Sequence, residues 1–318
     1  MYKLLAIDLD GTLLNSYGEV SLKTKQALKK AKEQGIEVVL SSGRTIDSVK
    51  NLATELGVDN YLISGNGAVV YDIQKDQIIY NRFINNEKVL QIAKICEENS
   101  IYYNIYTETE IITKSLNYNV LFYYNENLKK PEDKRTAINI VPDVIKYIEE
   151  FEEESFLKIT ICEKDKLIFN SILRKINEIK DLDILEVEFM SKKKVINGTE
   201  EIPIEYFYTE ITNQNVNKWT AIEFLIEKLG IGAKQVAPIG DNMNDKEMIV
   251  NSGLGIVMGN SNSKMKEMAD IIVSDNNSDG VCEAIEKYLI IWILQYNYIF
   301  FKFVCQNTQN IDLYCLKW

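Results

Sequence analysis

The sequence predicts an α/β protein in which a largely parallel sheet is assembled from both ends of the chain and an α+β domain is inserted between them. Three observations carry this. Short apolar runs alternate with amphipathic helical stretches over roughly the first 70 residues. Between about residues 84 and 212 that alternation lapses, and tyrosine, glutamate and lysine become frequent. After Asn217 the first pattern returns. The expected division is a core of 1–83 and 213–289, an inserted domain of 84–212, and an extension of 290–318.

Leu4-Leu5-Ala6-Ile7 opens the chain as a short apolar run, the type of strand buried on both faces. Ser21 is placed to cap a helix running to Gln34, with Ala27, Leu28 and Ala31 on one face and Gly35 as its stop. Ile36 to Leu40 reads as a second buried strand. A helix from Ile46 to Leu56 follows, ended by Gly57, and Tyr61-Leu62-Ile63 makes a third strand. In the inserted stretch, Ile101–Tyr106 and Phe156–Cys162 read as strands. The acidic run Glu149–Glu154 reads as a solvated helix end or loop. Trp219 to Leu229 is a helix with Ile222, Leu225, Ile226 and Leu229 as its apolar stripe. Val236–Ile239, Leu254–Met258 and Ile271–Val273 are further short strands.

Composition removes several function classes. A net charge of −11 argues against nucleic-acid partners, which require clustered lysine and arginine. With no histidine in 318 residues, a Ser-His-Asp triad, a phosphohistidine and a His-ligated zinc are excluded. Five scattered cysteines without metal-ligand spacing read as reduced thiols in a cytoplasmic protein. Met1-Tyr2-Lys3 runs directly into the first strand, so no secretory leader is expected.

Chemistry concentrates in Asp8-Leu9-Asp10-Gly11-Thr12, which follows the first strand directly. Ligands of open α/β sheets bind beyond the carboxyl ends of strands. Residues i and i+2 of an extended segment point the same way, so both carboxyl groups can face one ligand. Gly11 permits the sharp turn that follows. Ser41-Ser42-Gly43-Arg44 follows the second strand, where a hydroxyl and backbone N–H groups can hold a phosphate or simply cap the next helix. Gly240-Asp241-Asn242-Met243-Asn244-Asp245 crowds two acids and two amides onto another strand-to-helix turn, more polar groups than one cap requires. Lys218 begins the Trp219–Leu229 helix, where the dipole mildly disfavours a cation. Alone it reads as a surface lysine; its company with the other clusters marks it as a candidate.

In this order the segments resemble those of the haloacid dehalogenase superfamily, specifically the Cof-type phosphatases with a large α/β cap inserted after the second motif. Gly65-Asn66-Gly67-Ala68, Val257-Met258-Gly259-Asn260 and Asp279-Gly280-Val281 add softer matches, and the likeness spans residues 1 to about 289. The resemblance implies a Rossmann-like core, Mg²⁺ as cofactor and an aspartyl-phosphate intermediate. Asp8 would be the nucleophile and Asp10 the general acid and base. Mg²⁺ would be held by Asp8, Asp241 and the backbone carbonyl of Asp10, with Asp245 just outside that shell. Ser42, the backbones of Leu9 and Gly43, Asn244 and Lys218 would contact the phosphoryl oxygens. The implied partner is a small-molecule phosphate ester, a sugar phosphate or phosphorylated cofactor.

Two readings outside this class stay open at the level of sequence: a non-catalytic phosphate-binding or regulatory protein on the same fold, and a phosphomutase. Arg44 reads either as a site residue or as a structural ion pair. Ser42 stands where threonine is commoner in the family, and either supplies the hydroxyl. Pro238 cannot donate to a strand ladder, so a distortion is expected just before Asp241. Glu210, Tyr208, Tyr118, Tyr123 and Tyr124 are the candidates of the inserted domain for facing the site, with core packing the competing role for each. Leu289 to Cys305 is strongly apolar but broken by Gln295, Asn297 and Lys302, and falls short of the ~20 residues of a membrane span. It reads as a helix packed on the core or on a second copy in a homo-oligomer. An interfacial anchor and a reading-frame accident are the other readings of this tail.

Overall fold

The computed structural model describes residues 1–132, 135–150, 155–185, 191–197 and 200–290. The tail from 291 onward and residues 151–154 of the acidic run lie outside the described residues. Strands are numbered along the chain. The first five are β1 (Leu4–Ile7), β2 (Glu37–Ser41), β3 (Tyr61–Ser64), β4 (Val69–Asp72) and β5 (Gln77–Asn81). The insertion supplies β6 (Tyr102–Tyr106), β7 (Glu110–Thr113), β8 (Ala137–Ile140), β9 (Lys158–Glu163), β10 (Leu182–Ile184), β11 (Ser191–Asn197) and β12 (Glu200–Asn213). The chain returns through β13 (Val236–Gly240), β14 (Ile256–Val257) and β15 (Ile271–Ile272).

Two sheets result. The core sheet has the order β15-β14-β13-β1-β2-β3-β4-β5, and the cap sheet the order β10-β12-β9-β6-β7-β8 with β11 on β12. Six core strands run parallel, from β15 through β3. The antiparallel β4 and β5 complete that edge, two strands the sequence pattern does not mark. The cap sheet is antiparallel apart from the β7–β8 pair.

β1 shows why its run is apolar throughout. Leu5 and Ile7 pack with Ala27, Leu28 and Ala31 of the helix Leu22–Glu33. Leu4 and Ala6 face the other way, against Trp219, Ile222 and Leu225 of the helix Lys218–Leu229. Both faces of the strand are therefore buried, as a doubly covered sheet requires. Capping follows the residues too. Ser21 Oγ accepts from the Thr24 N–H at 3.1 Å, Asn217 accepts from Thr220 at 3.0 Å, and Gly57 and Gly230 end their helices in the left-handed conformation.

The expected distortion at Pro238 does not occur. Its position pairs with Ala6 in unbroken register, and the ladder from β13 to β14 begins only at Ile239. The missing N–H of Pro238 thus falls where the β14 ladder has not begun.

The cap has its own apolar centre, including Ile92, Ile105, Ile112, Phe156, Ile159 and Ile172. Where the chain passes between layers, Ile84 bridges to Phe156, and the Asn213 side chain donates to the Phe83 carbonyl at 2.8 Å. Tyr106, Val120 and Leu157 of the cap pack into the principal core cluster, which seats the cap's underside on the core. No described helix is long and apolar enough to cross a membrane.

Candidate active site

β13, β1 and β2 are neighbours and run parallel. Their carboxyl ends therefore lie side by side, and the turns after them bring Gly240–Asp245, Asp8–Thr12 and Ser42–Arg44 together. Gly11 makes this convergence tight. Its φ is +89°, and a Cβ there would stand 2.4 Å from Asp241 Oδ2. Thr12 Oγ1 donates to Asp241 Oδ1 at 3.0 Å, and Asn260 donates to the Gly11 carbonyl at 2.9 Å, so both turns are held from their sides.

Oxygens of Asp8, Asp241 and Asp245 lie within 4.8 Å of one another. Lys218, wholly buried at the first turn of its helix, donates to Asp8 Oδ1 and, at 2.6 Å, to Asp245 Oδ1. Asp245 Oδ2 accepts the backbone N–H groups of Asp241 at 3.0 Å and Asn242 at 3.1 Å. Both oxygens of Asp245 are thus engaged within the protein, while Asp8 and Asp241 each accept through Oδ1, from Lys218 and Thr12 respectively. Three carboxyl groups face one ammonium group, and the electrostatics follow. Burial raises the Asp8 carboxyl to about 7, with Lys218 opposing and Asp245 reinforcing the shift. Burial, then Asp8 and Asp245, holds Asp241 well above its ordinary range. Burial works against the Lys218 charge, but Asp245 and Asp8 outweigh it and raise its pKa.

Asp10 lies outward of this cluster, and Arg44 grips its carboxylate by two bonds, Nε to Oδ2 at 2.8 Å and an Nη to Oδ1 at 2.6 Å. Despite burial, that pairing raises the Arg44 pKa further. Arg44 is therefore both an ion-pair partner and a neighbour of the site. Ser42 is buried, and its Oγ accepts the Arg44 N–H at 3.2 Å. Leu9 is buried, and its carbonyl accepts from Leu14 at 2.9 Å. Asn244 donates to Asn66 Oδ1 at 3.1 Å. Gly43 is confined, since a Cβ there would lie 2.7 Å from Asn66 Oδ1 and 2.9 Å from Lys158 Nζ.

The cap candidates separate. Tyr208 is near the site: burial and the Glu210 charge push its phenol up to about 12, and it is hydrogen-bonded to Asn242. Tyr123 is half-buried beside Asp10 and Arg44, and the desolvation there raises its pKa. Glu210 bonds Asn66 and Lys158. Tyr118 instead packs between Tyr102 and Tyr206 within the cap, and Tyr124 is exposed. Sequence reasoning missed Lys158 altogether. One lysine opening a cap strand carries no local signal. Beside Glu210, Asn66, Asn244 and Met243 lies a crevice of about 280 Å³ between cap and core.

Carboxylates on two adjacent loops, a hydroxyl turn and a buried lysine at the carboxyl ends of a parallel sheet, beneath an inserted cap, define a hydrolase of the phosphoryl-transfer class. A family model for haloacid dehalogenase-like hydrolases matches residues 5–285, and the chain belongs to that family. It is 28% identical to the phosphatase YwpJ of Bacillus subtilis over 298 residues, covering 90% of this chain and 100% of that one. It is 26% identical to the 5-amino-6-(5-phospho-D-ribitylamino)uracil phosphatase YcsE of the same species, covering 91% and 96%. A solved haloacid dehalogenase-like hydrolase from B. subtilis superimposes with a TM-score of 0.74 at 27% identity, covering 90% of this chain and 100% of that one. The chain is accordingly an enzyme of the phosphoric monoester hydrolase class.

Proposed function

We propose that the chain is a cytoplasmic, Mg²⁺-dependent phosphatase that hydrolyses a small phosphorylated metabolite, a sugar phosphate or phosphorylated cofactor, through an aspartyl-phosphate on Asp8. The observation that carries this reading is the clamp of Lys218 on Asp8 and Asp245, with Asp241 in the same cluster. The donor set suits a hard divalent cation, being composed of carboxylate oxygens that one ammonium cannot balance. Asp8 and Asp241 would hold Mg²⁺ together with the Asp10 backbone carbonyl, and Asp245, already engaged by Lys218 and two amides, would orient that shell. Bound there, the ion would offset repulsion between the carboxylate nucleophile and the phosphate dianion.

In the first step an Asp8 oxygen attacks phosphorus. The bond to the leaving oxygen breaks, and that oxygen takes its proton from Asp10. In the second step water attacks phosphorus, Asp10 takes the water proton, and the Asp8–phosphorus bond breaks to release inorganic phosphate. Lys218, Ser42, Asn244 and the N–H groups of Leu9 and Gly43 would hold the phosphoryl oxygens. Residues 1–83 and 213–289 form the catalytic core in this reading, and 84–212 the cap that excludes water.

The test is hydrolysis of p-nitrophenyl phosphate and a panel of phosphorylated metabolites, with and without Mg²⁺, by wild type and Asp8→Asn. Turnover should require Mg²⁺ and fall by at least about 10⁴-fold in the variant. Turnover that survives Asp8→Asn would refute the assignment. Failure of folded wild type on the whole panel would favour a non-catalytic phosphate binder.

A further inference from the structure

The chain Lys158–Glu210–Asn66–Asn244 joins the cap to the core, and only its last member, Asn244, is among the groups that would hold the phosphoryl oxygens. The Glu210 carboxylate accepts from Lys158 through one oxygen and from the Asn66 amide nitrogen through the other. The Asn66 carbonyl oxygen in turn accepts from the Asn244 amide nitrogen at 3.1 Å. Lys158 and Asn66 are buried, and the Lys158 ammonium lies 4.4 Å from the centre of the Tyr106 ring. Asn66 has little freedom. Its φ is +59°, a left-handed conformation that asparagine tolerates, and its N–H donates to the Ser42 carbonyl at 3.0 Å.

From this geometry we infer that Glu210 is a positioning residue that sets the direction of the chain, and so determines which group Asn244 shows to the phosphoryl site. The inference rests on the phosphatase reading above. An ionised carboxylate accepts hydrogen bonds and donates none. Ion-paired with Lys158 through one oxygen, the Glu210 carboxylate meets the donor end of the Asn66 amide with the other, which leaves the acceptor end for Asn244. Asn244 must then place its nitrogen beside Asn66, with the second amide hydrogen left for a phosphoryl oxygen. A reversed chain would put the Asn244 carbonyl there, an acceptor facing an anion. Gly43 keeps the space open, because any side chain at that position would meet both Asn66 and Lys158.

Glutamine at position 210 accepts through one oxygen only and can present a donor to Asn66. Aspartate at position 66 accepts at both ends and tolerates the same backbone conformation. Exchanging the two groups therefore restores the direction while conserving net charge. The experiment measures inorganic phosphate affinity by titration calorimetry in saturating Mg²⁺. It uses full-length wild type, Glu210→Gln, Asn66→Asp and the double variant, with thermal melting of each. Glu210→Gln should bind phosphate about tenfold more weakly or worse, the loss of one hydrogen bond to a charged group. Asn66→Asp, which sets two carboxylates face to face, should lose at least as much. The double variant should return to within about threefold of wild type, a recovery that general loosening of the cap would not produce.

Equal affinity in Glu210→Gln and wild type would overturn the inference, as would losses that simply add in the double variant. If Glu210→Gln does not fold, the comparison of Asn66→Asp with the double variant decides the matter by the same criterion of recovery. Wild type that neither binds phosphate nor turns over a phosphate ester would remove the phosphatase reading and this inference together, and the wild-type arm alone would reveal it.

Discussion

Among the described residues the protein buries two lysines, one in each layer, and holds them differently. In the core, Lys218 lies between two carboxylates, Asp8 and Asp245, inside a cluster that also contains Asp241. In the cap, Lys158 has one carboxylate, Glu210, and the face of Tyr106. The core lysine sits in an excess of negative charge, an arrangement suited to receiving a cation and a phosphoryl group. The cap pair is balanced one to one, which suits a fixed structural polarity. A buried charge is thus read from the balance of its neighbours, and burial alone does not assign a role.

Removing each lysine is the sharpest way to break the comparison. Lys218→Met leaves Asp8 and Asp245 buried without their cation, and should cost about 3–5 kcal/mol of stability. Saturating Mg²⁺ should return part of that loss, because the ion would neutralise the same carboxylates. Denaturant titration with and without Mg²⁺ measures both quantities. Lys158→Met leaves one carboxylate, Glu210, which is partly exposed and keeps its bond to Asn66. Its cost should be smaller, and Mg²⁺ should not offset it. Equal Mg²⁺ rescue of the two variants would erase the distinction. The smallest effect is expected at the junction of the layers. Gly43→Ala crowds Asn66 and Lys158, and should cost about 1–3 kcal/mol by overpacking. It should also weaken phosphate binding, which calorimetry reads, whereas Gly232→Ala, in open space, should leave binding unchanged.

The two layers also differ in how much of them could be read from sequence. The turns after β1, β2 and β13 were legible because apolar runs end abruptly in acids, hydroxyls and glycine. A parallel sheet then brings those turns to one edge whatever the details of packing. Lys218 was legible only in company, since its own position resembles an ordinary exposed helix start. Its complete burial follows from where the helix docks, and that is a tertiary fact. The antiparallel pair β4 and β5 escaped because Val69–Asp72 and Gln77–Asn81 are short and only partly apolar.

The cap network was invisible for a different reason. Asn66 and Glu210 stand 144 positions apart and meet only when the two layers dock. Lys158 opens a strand of ordinary composition. Of the five cap candidates, Glu210, Tyr208 and Tyr123 come near the site, while Tyr118 serves cap packing and Tyr124 faces solvent. Composition does not separate these roles, because tyrosine packs and hydrogen-bonds equally well in both settings.

In the proposed reaction Asp8 carries the phosphoryl group between the two steps. Rapid acid quenching of the Mg²⁺-loaded enzyme during turnover of a radiolabelled phosphate ester, followed by proteolysis and mass spectrometry, tests it directly. Label on the peptide bearing Asp8, labile to hydroxylamine and lost in Asp8→Asn, is the predicted result. Steady turnover by an enzyme in which label reaches a different residue would contradict the account.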